Sequence, residues 1–599
     1  MFQTFDTTAS PAQGIPRLAA LRAQMQARGL ACWLVPRADA HQGEYVATSD
    51  ERLSWLTGFT GSAGFAAVLA DQAGVFIDGR YRVQVRSQIA DCYTPVHWPE
   101  VKLSAWLAER LGAGDVVGYD PWLHTAEEAD ALDKVLGPKG ITLRPGENLV
   151  DAIWPDRPDP PMAAFTAYPD DLAGETHAAK RARLAETLRA AGVTAAVITQ
   201  PDSIAWLLNL RGTDVERNPV PQAFAILHAD GRTNLFARGN KADLVRRHLG
   251  PEVTVGDEME FLAALATLRG PVQIDPKTCP VLLRSTLTDA GVAVVTGADP
   301  CLLPKAVKNA TELKGTATAH LRDAAAMVQF LAWLDATAPG GGLTEIDVVR
   351  ALEGFRRATN ALQDISFDTI MGAGPHGAIV HYRVTHDTNR AIAPGELLLI
   401  DSGGQYLDGT TDITRTVAVG PVPDDAAACY TRVLQGMVAI SRARFPQGVT
   451  GGHLDALARF PLWLAGQDYD HGTGHGVGVY LSVHEGPQRL SRTSDVALQA
   501  GMILSNEPGY YREGAFGIRI ENLIVVEPAA PVPGGDARAM LGFRTLTWVP
   551  FDRRLILADM LAQGERDWID AYHAQVMDQI GPRVDAPALA WLRAACAPV

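Results

Sequence analysis

Three things are scarce in this chain of 599 residues. Cysteine comes to six, and Cys32, Cys92, Cys279, Cys301, Cys429 and Cys596 are scattered, with no close pair of the kind that builds zinc motifs or redox dithiols. Reduced structural thiols are the reading that follows. No apolar run reaches membrane length, and the start Met1-Phe-Gln-Thr-Phe-Asp6 has neither a basic region nor an apolar segment long enough for a secretion signal. A cytoplasmic protein with no membrane partner is therefore expected. Positive charge is outweighed as well, with 53 Lys and Arg against 68 Asp and Glu and a formal net charge of -15. That balance disfavours nonspecific attraction to phosphate backbones, so no nucleic-acid partner is expected.

What is present is enough apolar material for several cores. With 47% hydrophobic residues over this length, three or four domains are expected and a small binding module is excluded. A distant internal repeat organises the first half. An amphipathic helix pattern from Arg17 to Gly29 precedes the strand-like run Ala31–Val35, and Arg181 to Gly192 precedes Val193–Ile198 in the same layout. After each comes a similar core string, Leu53–Gly61 and Ile204–Gly212, then a hairpin-like pair around Asp71 and around Asp230-Gly231. Two related α/β domains follow from this. The stiff stretch Trp154-Pro-Asp-Arg-Pro-Asp-Pro-Pro161 joins them, and Pro300-Cys-Leu-Leu-Pro304 precedes a long helix pattern from about Ala310 to Leu334 that Pro339-Gly-Gly-Gly342 ends. The domains are placed at 1–157, 158–305 and 306–599, the last with an extension from about 545.

The chemistry is concentrated in the last third, where Asp401, Asp412, His475, Glu507 and Glu521 sit in strand-like or glycine-bounded settings that can aim them at one point. Asp401 ends the run Glu396-Leu-Leu-Leu-Ile-Asp401 and Asp412 opens the alternating run to Val419. The turn-rich Ser402–Gly409 between them predicts an antiparallel hairpin with the two acids opposite each other. His475 lies in His471-Gly-Thr-Gly-His475-Gly-Val-Gly478, whose glycines admit crowded backbone conformations. Glu507 ends a strand before Pro508-Gly509, and in Phe516–Val526 the period of two puts Arg519 and Glu521 on one face. A lone acid is most often a solvated surface charge, but a set placed beside apolar strand residues is not. Four buried carboxylates without cations would be strongly destabilising. Two divalent ions would cancel that charge, and oxygens plus one imidazole favour hard ions such as manganese, with cobalt or zinc as substitutes.

The strings Asp401-Ser-Gly, Asp408-Gly-Thr-Thr-Asp-Ile-Thr-Arg-Thr416, His471–Gly478, Val483-His-Glu-Gly-Pro487, Asn506-Glu-Pro-Gly-Tyr-Tyr511 and Gly517-Ile-Arg-Ile-Glu521-Asn resemble those of Xaa-Pro aminopeptidases, also called aminopeptidases P. The likeness extends to Gly374-Pro-His-Gly-Ala-Ile-Val-His381-Tyr, to Ala38–Tyr45 and to Leu208–Glu216, nearly the whole length. It implies the long three-domain form: two creatinase-like α/β domains followed by a pita-bread α/β catalytic domain, a strongly curved sheet carrying the metals with helices outside.

The resemblance also implies roles. His381, His471 and His484 match the family's cleft histidines, although a histidine is more often structural than catalytic, and the apolar Gly377-Ala-Ile-Val run would bury His381. His381 and His484 are the candidates for helping the carbonyl oxygen, Glu507 for the general base, and His471, Tyr511 and Arg519 for the proline side of the cleft. The implied reaction is attack by a hydroxide bridging two metals on the bond before a proline at position two of a peptide. A prolidase shares the ligand set but takes dipeptides, methionine aminopeptidases lack two large N-terminal domains, creatinase-like enzymes lack the metal pair, and non-catalytic peptide-binding relatives have lost the metal residues. A homodimer is expected as well. Trp568, Ile569, Tyr572, Val576 and Ile580 form one apolar helical face, and the long aminopeptidases P that this region resembles use their C-terminal extension in a dimer interface.

Overall fold

The repeated helix-then-strand pattern builds one sheet topology twice in the computed structural model, which describes residues 1–599. In spatial order the first sheet runs Thr94–His97, Ala73–Ile77, Gly64–Leu69, Cys32–Pro36, Val116–Tyr119 and Thr142–Pro145. The second runs Val253–Asp257, Thr233–Ala237, Phe224–His228, Ala195–Ile198, Val272–Ile274 and Val294–Thr296. In each, the first strand in sequence is antiparallel to the second and parallel to the fifth. These central strands are apolar throughout because both faces are covered. Helix Pro11–Ala27 covers the first with Leu18, Leu21 and Met25, and helix His177–Ala190 the second with Leu184, Ala185 and Leu188. The two sheets belong to one compact unit, Thr8–Lys305.

The other unit comprises Ala306–Val599 together with Met1–Thr7. Those first residues carry no periodic signal and were grouped by sequence with the first domain. Phe5 enters the core of this unit instead, and Phe2 N donates to Glu353 Oε1 at 2.9 Å. The helix Ala310–Thr337 opens on a capping box, in which Asn309 Oδ1 accepts from Glu312 N at 3.0 Å and Glu312 Oε2 accepts from Asn309 N at 2.9 Å. It runs past Leu334 to Thr337 before Pro339 and the glycines stop it.

Two sheets meet at the middle of this unit. One has the strands Ile370–Ala373, Leu397–Ser402 and Ile413–Ala418, and the other has six, among them Gly474–Gly476, Ile503–Asn506 and Asn522–Pro528. They join where Glu521 N donates to Thr414 O at 3.1 Å. The short ribbon Gly509–Arg512 and Phe516–Arg519 lies alongside.

The hairpin differs in register from the sequence reading. Asp401 pairs with Thr414, not Asp412, and the turn-rich linker contains strands of its own, Gly404–Tyr406 and Gly409–Thr410. The expected continuous strand through Glu521 also breaks at Ile520-Glu521, between Phe516–Arg519 and Asn522–Pro528.

The C-terminal helix Gln563–Ile580 answers the question of its apolar face. Ile569, Tyr572, Val576 and Ile580 are buried in the core of their own unit, and Trp568 packs against it. At about 1.5–3 kcal/mol for each fully buried large side chain, that packing outweighs exposure of the face. Tyr572 OH donates to Val549 O at 2.7 Å and accepts from Arg415 Nη2 at 3.1 Å, tying the helix to the strand that follows Asp412. The expected homodimer thereby loses the apolar face on which the sequence argument was built.

Candidate metal centre

Each expected ligand reaches the junction of the two sheets by a different local device. Asp401 is the fifth residue of an apolar strand, Asp412 immediately precedes the strand Ile413–Ala418, and His475 is the middle of a three-residue strand between glycines. Close approach makes glycine necessary at 474, because a Cβ there would stand 2.0 Å from Ser505 O. Glu507 follows the strand Ile503–Asn506 and its N–H donates to Thr473 O at 2.8 Å, fixing the glycine-rich loop beside it.

Ligand-capable atoms of Asp412, His475 and Glu521 all lie within 4.8 Å of one another. His475 Nδ1 donates to Gly476 O at 2.8 Å, so in the neutral ring the lone pair is on Nε2, which faces Asp412 Oδ2 at 3.5 Å and Glu507 Oε1 at 3.4 Å. A backbone carbonyl holding the far nitrogen is the usual support of a metal-binding imidazole. Two hydroxyls that sequence reading missed complete the support. Ser505 Oγ accepts from His475 N at 2.9 Å and donates to Glu507 Oε1 at 3.0 Å, while Thr414 Oγ1 donates to Glu521 Oε2 at 2.8 Å. Each lies two residues along a strand from a ligand, and that period was the available signal.

Asp401 is held differently. Its Oδ2 accepts from Arg519 Nη2 at 2.5 Å, and its Oδ1 is buried without a hydrogen-bond partner. Burial pushes its carboxyl up to about 6, with repulsion from Asp412 and Glu507 added and Arg519 opposing. Burial also pushes Glu521 well above the usual carboxylate range, helped by Asp412, Glu507 and Asp401. For His475 burial works against the imidazolium, but the bond to Asp412 and the charges of Glu507 and Asp412 hold it up at about 9. An orphaned buried oxygen, carboxylates pushed toward the acid form and an oriented imidazole are what residues awaiting cations present. The donor set fits two divalent ions.

The remaining candidates form one hydrogen-bonded line. His471 Nδ1 donates to Gly472 O at 2.7 Å, and its Nε2 accepts from Tyr511 OH at 2.8 Å. Burial pushes the Tyr511 phenol up, so it keeps its proton for that bond. Arg519 Nη1 donates to Tyr511 OH at 2.6 Å, Nε to Thr414 Oγ1 at 3.2 Å and Nη2 to Val380 O at 3.3 Å, besides the Asp401 bond. The Arg519 guanidinium is buried and spent on protein atoms, and it links Asp401 to the backbone next to His381. His381 itself is half-exposed, not buried as its apolar run predicts. His484 lies with its ring 4.2 Å from the His475 ring, edge to face.

Residues 314–528 match Metallopeptidase family M24, 17–153 and 156–312 each match the Creatinase/Prolidase N-terminal domain, and 539–599 match the C-terminal region of peptidase M24. The chain is 39% identical over 598 residues to Aminopeptidase P2 of Arabidopsis thaliana, covering 93% of this chain and 84% of that one. It belongs to the Xaa-Pro aminopeptidase family. The crystal structure of X-prolyl aminopeptidase from Caenorhabditis elegans, described as a cytosolic enzyme with a di-nuclear active site, matches at 33% identity with a TM-score of 0.93 and covers 98% of this chain and 100% of that one. An Xaa-Pro dipeptidase from Bacillus anthracis matches at 25% identity and a TM-score of 0.51, covering 62% of this chain and 98% of that one. This Xaa-Pro aminopeptidase family member is thus a metallopeptidase with two creatinase-type domains ahead of a pita-bread domain. No helix is long and apolar enough to cross a membrane.

Proposed function

We propose that the chain releases the first residue from peptides whose second residue is proline. Asp401, Asp412, His475, Glu507 and Glu521 would hold two divalent ions, with manganese the first assignment from the oxygen-rich donor set. When bound, such a pair polarises the carbonyl before proline and makes a deprotonated water accessible at neutral pH. The observation that carries the reading is the close grouping of Asp412, His475 and Glu521 with an orphaned Asp401 oxygen beside them, in a chain similar to aminopeptidases P over nearly its full length.

The chain's own residues divide the remaining work. Glu507, steadied by Ser505, would take the proton of the attacking water and pass it to the proline nitrogen as the C–N bond breaks. His381 and His484 donate to the carbonyl oxygen as negative charge develops. Arg519 acts through others, fixing Asp401, Tyr511 and the peptide group next to His381, while Tyr511 in turn sets the tautomer of His471. Proline makes a tertiary amide with no N–H and a fixed ring geometry, which a shaped pocket recognises and ordinary aminopeptidases handle poorly. The cytosolic description of the C. elegans relative supports a cytoplasmic setting.

Chelation followed by restoring ions one kind at a time tests this. Arginine release from Arg-Pro-Pro is expected to vanish on stripping and to return as two equivalents bind, fastest with manganese. Full turnover by stripped protein, or saturation at one equivalent, would overturn the two-ion reading.

A further inference from the structure

One buried carboxylate outside the metal centre gathers donors from the loop that carries His381. Glu345 is the first residue of the helix Glu345–Arg357, and its side chain is fully buried. Its Oε1 accepts from Ala373 N and from His376 Nδ1, each at 2.9 Å. Its Oε2 accepts from Tyr382 OH at 3.0 Å and from Arg390 N at 3.4 Å. Ala373 and Arg390 are the two ends of that loop, and Glu345 N donates back to Arg390 O at 3.1 Å. The Arg390 guanidinium reinforces the neck, with Nη1 donating to Ala373 O at 2.6 Å and Nη2 to Glu396 Oε1 at 2.7 Å. Inside the loop the rings of His376 and Tyr382 pack 4.4 Å apart.

We propose that Glu345 is a positioning residue for His381, closing the 373–390 loop at its neck and pinning His376 and Tyr382 within it. The inference rests on the peptidase reaction proposed above. A buried carboxylate with four donors makes charge-assisted bonds; removing it takes the side-chain acceptor from the Ala373 and Arg390 amides and from His376, and leaves Tyr382 OH only its contacts with Thr388. The loop must then shift to find water. A displacement of about 1 Å at a group acting on the reacting bond costs roughly 10²-fold in rate.

A competing role is helix stabilisation, since an acid in the first turn favours the helix N-terminus. Glu345→Gln and Glu345→Asp separate the two. Gln keeps the reach and an acceptor oxygen but loses the charge, and His376 can reverse its tautomer to accept from the amide. Asp keeps the charge but falls one methylene short of the donors. Positioning therefore predicts that Glu345→Asp and Glu345→Ala lower kcat on Arg-Pro-Pro by roughly 10–100-fold at nearly unchanged KM and metal content, with Glu345→Gln within about threefold of the parent. Amide hydrogen exchange over 374–390 should accelerate in the Asp and Ala variants only.

If Glu345→Ala does not fold, Tyr382→Phe tests the same contact. It removes one donor and should accelerate exchange in the loop and lower kcat by about threefold. Wild-type kcat and exchange in Glu345→Asp and Tyr382→Phe, or a loss in KM alone, would overturn the proposal. Failure of the unaltered protein to cleave Arg-Pro-Pro would sink the reaction reading instead, and exchange over 374–390 would still decide whether Glu345 holds the loop.

Discussion

Stripping the metals should make the stability of the catalytic unit fall as pH rises, by an amount that follows from His475. Its imidazole sits among carboxylates and is raised from 6.5 to about 9. A group raised in the folded state lends stability that is full below its unfolded value and is lost as pH rises through the folded one. For His475 the window runs from pH 6.5 to about 9, and at about 1.4 kcal/mol per tenfold the loss comes to about 3 kcal/mol. Asp401 acts in the same direction at lower pH. Raised from 3.8 to about 6, it favours the fold below the first value and loses that contribution by the second.

In the metal-loaded protein the ions displace the His475 proton at neutral pH, so that window should close. Guanidinium unfolding of stripped and loaded protein at pH 6.5 and about 9.5 measures the effect; groups away from the centre cancel in the comparison, and Glu521, also raised by burial, adds its loss in the same direction. The stripped protein should lose at least about 3 kcal/mol relative to the loaded one over that interval. Equal slopes, or a stripped protein that gains stability toward pH 9.5, would refute the electrostatic account of the centre.

Asp412→Asn and Glu521→Gln should each lose bound metal and activity while keeping the fold, because a carboxamide is a weak neutral ligand; metal analysis beside circular dichroism checks this. His381→Ala should keep its metals and lower turnover by roughly 10²–10³-fold, the range for a lost oxyanion donor, and metal loss would show a different role. Arg519→Lys offers one ammonium where a planar fork serves Asp401, Tyr511, Thr414 and Val380 O, so kcat/KM should fall by at least roughly 10²-fold, with steady-state assays as the check.

The candidate ligand positions stand out in the sequence because strand period and glycine or proline punctuation are local properties. Asp401 closing an apolar run, Glu507 before Pro508-Gly509 and His475 between glycines all announce themselves within a few residues. The repeat of helix, strand and hairpin foretold two sheets of one topology for the same reason. What stayed hidden depends on partners distant in sequence. The linker Ser402–Gly409 reads as turn because of its glycines, yet its backbone pairs within itself and with Leu362–Ile365. The apolar face of Gln563–Ile580 is plain, but nothing local says that its partner is the core of its own unit. Arg519 and Glu345 are single charged residues whose roles appear only when four acceptors or donors from elsewhere converge on them.

Cleavage specificity tests the central claim most directly. Metal-loaded protein is given Arg-Pro-Pro, Arg-Pro and Arg-Ala-Ala in parallel, and free arginine is measured. Rapid release from Arg-Pro-Pro with none from Arg-Ala-Ala is the predicted result, and turnover of Arg-Pro alone, or equal turnover of Arg-Ala-Ala, would contradict it.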